Sequence, residues 1–203
     1  MTYLQNSDTR KLGDSKRERI LQAALEEIVA HGVVGFRIVD VSDKADCAVS
    51  LIYRHFLDRN GLIKAVLSRI VLHHIDQWET LRIELSQTTT RDIDAILARI
   101  PSPESDFANM ARWLRVQSLA ASVSDDDLRA FLAEETQRYH NVVKELLIDV
   151  RRHLGLSTDG DLDALVLLWC SLGLVLTSND LVQDGKINDE QFRVFLKKIL
   201  LID

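Results

Sequence analysis

Proline is nearly missing: the 203 residues hold two, Pro101 and Pro103, with only eight glycines beside them. Helices therefore meet few breakers outside residues 101–103. Alternating period-2 runs bounded by turn residues are also lacking. Apolar residues instead recur at 3.6-residue spacing over most of the chain, so the fold class expected is all-α. Cysteine is scarce. Cys47 and Cys170 lie far apart, and two in a chain this long do not form a disulfide framework. No apolar run reaches the ~18 residues of a membrane span. The most apolar stretch, residues 162–176, opens beside Asp161 and Asp163. The first residues, MTYLQNSDTRKLGDS, are polar, so no signal peptide is expected. A soluble, cytoplasmic protein with no membrane partner is the expectation.

An excess of positive charge is missing too. The net charge is −6, which excludes a general polyanion binder. Residues 1–64 carry 10 Lys+Arg against 9 Asp+Glu, and the remainder 15 against 22. The N-terminal third is thus near neutral while the rest is acidic. Within it Arg10, Lys11, Lys16, Arg17 and Arg19 form a local basic cluster. There is no Gly-rich phosphate loop, no metal-ligand spacing and no nucleophile motif. Adjacent His73 and His74 point about 100° apart on a helix and make a poor metal pair. No catalytic residue, metal or cofactor is assigned, and an enzyme is not expected.

What the chain does contain is a pair of short amphipathic helices between Arg37 and Phe56. In the first, from about Ile38 to Ala45, Ile38, Val41 and Ala45 share one face. Asp46-Cys47-Ala48 is a turn, and Asp tolerates the left-handed backbone such a turn needs. The second, Val49 to Phe56, turns Val49, Ile52 and Phe56 inward. Ser50, Leu51, Arg54 and His55 then face outward, with Tyr53 at the edge. This is the helix-turn-helix pattern, whose second helix fits a major groove about 12 Å wide.

The remaining helices follow from the same spacing. Ser15, with Glu18 three residues on, starts a helix to His31 by a capping box. That helix buries Leu21, Ala24, Leu25 and Ile28, and Gly32 ends it at a position of positive φ. Asp58 caps a helix from Arg59 to about Leu85, roughly 40 Å long. Further helices are expected near Arg91–Arg99, Ser105–Ser122, Asp125–Leu154, Asp161–Val182 and Asp189–Ile202. The domain organisation expected is a disordered or basic arm over 1–14, a helix-turn-helix domain over 15–62 and a larger helical domain over 63–203.

The run RERILQAALEEIVAHGVVGFRIVDVSDKADCAVSLIYRHFLDRNGL, Arg17 to Leu62, resembles the N-terminal domain of the tetracycline-repressor (TetR) family of bacterial regulators. The match is strongest at Ile52-Tyr53-Arg54-His55-Phe56, followed by Asp58-Arg59 and Leu62. Ala23-Ala24, Gly32, Phe36, Asp40-Val41 and Ala45 also line up. The resemblance covers about a quarter of the chain. It implies a homodimer that places Val49–Phe56 of each subunit in successive major grooves of palindromic operator DNA. It also implies a small-molecule effector, of unknown identity, bound by the larger domain, which would swing the helix that starts near Arg59. Arg37 stands where a Thr usually caps, Ala48 where a Ser usually does, and Arg59 keeps the charge of the usual Lys.

The DNA-contacting residues expected are Arg37, Val49, Ser50, Leu51, Tyr53, Arg54, His55 and Arg59. Arg54 and His55 suit base edges or phosphates, and Tyr53, by family position, a phosphate. A solvated helix face is the alternative for all of them. Cys47 is small apolar filler or a thiol near a helix N-terminus. Aromatic and polar groups on the later helices suit a pocket for an apolar molecule: His74, Trp78, Trp113, Gln117, Tyr139, Trp169 and Cys170. Ordinary core packing is the alternative there. By family layout the two most apolar helices form a dimer bundle, with Leu168, Leu172, Val175, Phe192, Phe195 and Ile199 as interface candidates. The functional expectation is a ligand-controlled repressor. A helical ligand-binding or interaction module whose helix-turn-helix reads DNA weakly, or not specifically, is the alternative.

Overall fold

A computed structural model describes residues 16–100, 102, 104–159 and 162–201. The expectations for Arg10, Lys11, Ser15, Pro101, Pro103, Asp161 and Ile202 lie outside the described residues. Those residues form nine α-helices and no strand. They are α1 Lys16–Gly35, α2 Ile38–Lys44, α3 Val49–Phe56, α4 Arg59–Gln87 and α5 Ile93–Leu97. Then come α6 Asp106–Ala121, a 3-10 turn Ser122–Ser124, α7 Asp126–Leu154, α8 Leu162–Leu181 and α9 Asp189–Leu200.

The chain divides into two compact units, one of residues up to Ile70 with Trp113–Leu132, the other of Val71–Arg112 with Ala133 onward. The division departs from the 62/63 boundary expected from sequence. Beyond residue 62, α4 still buries Ile63, Val66, Leu67 and Ile70 within the first unit. Those positions continue the helical stripe begun by Leu62, so no sequence break marks the boundary.

In the first unit Ile20, Ala24 and Ile28 of α1 stand four residues apart on one face, and all are fully buried. Val41 of α2, Ile52 of α3 and Leu62 of α4 are equally inaccessible. Burying each such aliphatic side chain stabilises by about 1.5–3 kcal/mol, and their convergence fixes how α2 and α3 sit on α1. Gly32 interrupts α1 with φ 74° and ψ 170°, after which the chain makes one more turn to Gly35. That region of backbone space is essentially closed to any residue with a Cβ. Asp46 takes φ 48° in the turn between α2 and α3. Between α3 and α4 Leu57 has φ 68°. Asp58 Oδ1 then accepts the Gly61 amide at 2.7 Å, capping α4. A Cβ on Gly61 would stand 2.0 Å from the Phe56 carbonyl oxygen, so only glycine permits this approach of α4 to the end of α3.

The second unit is built on Trp78, Leu81 and Leu85 of α4, Val143, Leu146, Leu147 and Val150 of α7, and Val166 and Trp169 of α8. Ile96 and Leu97 of α5 and Leu196 of α9 join the same core. Asn188 and Gln191 form a capping box at α9. Arg112 donates twice to Asp180, both at 3.1 Å, tying α6 to α8. The α8 helix corrects the expectation of a short apolar run. It is 20 residues long with mean hydropathy 1.6, enough by length and composition to cross a membrane, and a third of that span is buried. Polar residues after Leu176 shorten the run in the sequence, but the helix continues through them. Val166, Trp169, Cys170 and Leu172 bury one side of it in the core of this unit.

Candidate nucleic-acid interface

The α3 helix rests on Ile52 and Phe56, buried to 0% and 5% exposure. That anchorage leaves Ser50, Tyr53, Arg54 and His55 exposed on the opposite face. Val49 and Leu51 are half-buried, so Leu51 is less outward than the helical wheel implied. The Arg17 guanidinium lies over the Phe56 ring at 5.1 Å, adding a cation beside the end of α3. Arg37 is 70% exposed and lies 3.6 Å from Asp40. Neither Arg37 nor Ala48 makes a side-chain cap, so α2 and α3 both start on backbone geometry alone.

Arg59, expected from sequence to contact a phosphate, directs its Nε and Nη2 to backbone carbonyls. Its guanidinium donates to the carbonyls of Val33 at 2.6 Å and Phe36 at 3.1 Å, and more weakly to Val34. It also lies over the Phe36 ring at 5.6 Å. The end of α1 at Gly35 leaves the Val33 and Val34 carbonyls without helical partners, and the Arg59 guanidinium supplies donors to them and to Phe36 beyond the helix. On the α7 side, Asp125 Oδ1 caps α7 by accepting the Leu128 amide at 2.8 Å. Its other oxygen accepts from Asn60 at 2.9 Å. A cleft of about 460 Å³ lies between, lined by Val33, Arg59, Asn60, Ile63, Asp125 and Leu128 among others.

Sequence reasoning missed Glu27, a carboxylate 1% exposed inside the first unit. Lys44 Nζ reaches it at 2.6 Å from the last turn of α2, and His31 Nδ1 lies 2.7 Å away. The hydrogen bond from Lys44 holds the Glu27 carboxyl below the usual glutamate value, against the opposing effect of burial. The Glu27–His31 spacing of four was visible in the sequence, but the third partner arrives from another helix. Cys47 is half-buried, and burial pushes its thiol up, which suits filler better than a reactive thiolate.

The pocket candidates separate. Trp113 and Gln117 belong to the first unit, and Gln117 Oε1 accepts the Val33 amide at 2.8 Å. His74, Trp78, Tyr139, Trp169 and Cys170 belong to the second. There Trp78 Nε1 donates to the Tyr139 hydroxyl at 3.1 Å, and the Trp78 and Trp169 rings meet edge-on at 6.2 Å. His74 adjoins Tyr139, and Phe107 lies against both His73 and His74. Of the interface candidates, Leu168, Val175 and Phe195 are exposed, by 42%, 60% and 45%. Leu172, Phe192 and Ile199 are buried within their own unit.

Residues 20–66 match the family model described as bacterial regulatory proteins, tetR family. An uncharacterized HTH-type transcriptional regulator of Bacillus subtilis, YvdT, is 33% identical over 117 residues. The match covers 51% of this chain and 60% of that relative's length. A putative TetR-family regulator from Rhodococcus sp. superposes with TM-score 0.66 at 23% identity, covering 91% of this chain and 94% of its own. A TetR regulator from Haloarcula marismortui gives 0.70 at 12% identity, over 91% and 96%. A putative transcriptional regulator from Saccharomonospora viridis, solved with choline, gives 0.69 at 19% identity, over 93% and 96%. The structural likeness at these identities concerns the fold, while residues 20–66 carry the sequence match. Over residues 20–66 the chain is thus similar to the tetR family of bacterial regulatory proteins, and it shares the fold of the TetR-family structures over nine-tenths of its length.

Proposed function

We propose that the chain is a transcriptional repressor that binds palindromic operator DNA as a homodimer and is controlled by a small, apolar effector bound in its C-terminal part. The observation that carries this reading is the α3 face. Ser50, Tyr53, Arg54 and His55 are exposed together on a helix anchored by Ile52 and Phe56, inside the segment matching the family model. Arg54 is suited to donate to a guanine edge and Tyr53 to a phosphate. Homodimerisation is supported by apolar residues left exposed on the last two helices: Leu167, Leu168 and Val175 of α8, Val194 and Phe195 of α9. Effector control is supported by the aromatic group His74, Trp78, Tyr139 and Trp169 in the second unit. It is also supported by the choline held by the Saccharomonospora viridis neighbour. The site of action would be the cytoplasm.

The test is selection of random duplexes on the purified protein, followed by anisotropy titration of the enriched site at low salt. A palindrome with half-sites about 34–36 Å apart, bound by two chains, is expected. Arg54→Ala is expected to relax base preference in the half-site; equal affinity and preference in parent and variant would refute the assignment.

A second reading is a helical interaction module with little sequence-specific DNA binding. The uncapped starts of α2 and α3 and the internal use of Arg59 favour it. Failure of the selection to enrich any duplex would decide for it.

A further inference from the structure

The α6 helix is continuous, with Asp106–Arg112 in the second unit and Trp113–Ala121 in the first. Within the first unit it buries Leu114 and Ser118 along one side, and Ser122 of the 3-10 turn continues that spacing of four. Ser118 is fully buried and its hydroxyl donates to the Leu114 carbonyl at 2.7 Å. Gln117, beside that face, reaches the break in α1. Its Oε1 accepts the Val33 amide at 2.8 Å and occupies the space beside Gly32, where a Cβ would come within 2.6 Å. The same short connection is held at its carbonyls by Arg59 of α4.

The segment 32–36 is thus gripped at its amide from α6 and at its carbonyls from α4. It leads directly into α2, so its path adds to the apolar packing that seats α2 and α3 on α1. We infer that Gln117 is a positioning residue for DNA binding: its contact with Val33 is the means by which α6 holds α3 in the DNA-competent arrangement. A shift of α6 by about 1 Å lengthens this contact beyond a normal hydrogen bond. It leaves the Val33 amide unpaired while the Arg59 grip persists. The idea rests on the proposed DNA-binding role, but the grip itself is a property of the protein alone.

Two variants and two readouts test it on the full chain. Gln117→Leu removes the acceptor and keeps the bulk, whereas Gln117→Glu keeps an acceptor at the same reach. Amide hydrogen exchange is followed across residues 33–56 without DNA. Affinity is measured for the duplex enriched on the parent protein. Gln117→Leu is expected to speed exchange at Val33 and across α2–α3 and to weaken duplex binding by about tenfold, the effect of one lost hydrogen bond. Its thermal midpoint should fall by a few degrees only, so the chain stays folded during both measurements. Gln117→Glu should restore both the exchange protection and the affinity. Unchanged exchange over 33–56 in Gln117→Leu overturns the inference, as does a Glu variant as impaired as the Leu variant. If the parent enriches no duplex, the DNA-binding proposal and the positioning role both fall. The exchange result then reports only whether the grip exists.

Discussion

Removing the half-exposed Lys44 should destabilise the protein more than removing the buried Glu27 to which it is paired. Glu27 is 1% exposed and Lys44 38%. In Glu27→Leu the lysine that remains can turn out to water, and a hydrophobic residue fills a buried site. Such replacements of buried charge are often neutral or stabilising, so a change within about 1 kcal/mol is expected. In Lys44→Met the carboxylate stays where it is, losing the partner chiefly responsible for lowering its pKa. Breaking a buried pair in this way typically costs about 3–5 kcal/mol. The protein can instead protonate the carboxyl. At about 1.4 kcal/mol per pH unit, that costs roughly 3–4 kcal/mol at pH 7 for a group of ordinary value, which caps the loss. His31, 2.7 Å from the carboxylate, remains as a second contact, so about 2–3 kcal/mol is expected. The sign of the pH dependence follows. The folded parent holds Glu27 below its ordinary value, so the pair contributes fully above that value and is lost as pH falls through the folded one. Lys44→Met needs its carboxyl protonated, which becomes cheaper as pH falls. Its deficit should therefore shrink from pH 7.5 to pH 5. Urea unfolding of parent and both variants at the two pH values measures this. A Glu27→Leu loss larger than that of Lys44→Met, or a Lys44→Met deficit that does not shrink in acid, would refute the reasoning.

Other substitutions address the helix-turn-helix more directly. Ala48 has the extended backbone of an N-cap and no side-chain acceptor, so Ala48→Ser should stabilise the first unit by about 1 kcal/mol, read as a raised urea midpoint with unchanged slope. Gly61→Ala would drive a methyl to 2.0 Å from the Phe56 carbonyl oxygen, and α3 and α4 must separate to admit it. A loss above about 2 kcal/mol is expected, seen as a lower thermal midpoint together with faster amide exchange at the end of α3.

Much of the helix-turn-helix was legible because local chemistry dictates it. Ile38, Val41 and Ala45, then Ile52 and Phe56, declare a buried face by spacing alone, and all five are buried. Asp46 and Gly32 adopt the positive φ their residue types permit, and Asp58 caps the helix it precedes. The later helices likewise begin and end within two residues of the bounds expected from periodicity. These are interactions within a few residues of chain, and a single sequence contains both partners.

Arg59, Gln117 and Glu27 were read incompletely for the opposite reason. Each meets a partner from a different helix: Arg59 the carbonyls after Gly32, Gln117 the Val33 amide 84 positions away, and Glu27 the ammonium of Lys44. Nothing in the spacing of residues announces such meetings, because a backbone amide or carbonyl looks the same at every position. The order and faces of the helices were thus set by the sequence through short-range periodicity and capping. Which polar side chains hold the recognition helix in place was decided only when packing left particular backbone groups without helical partners and brought distant donors and acceptors to them.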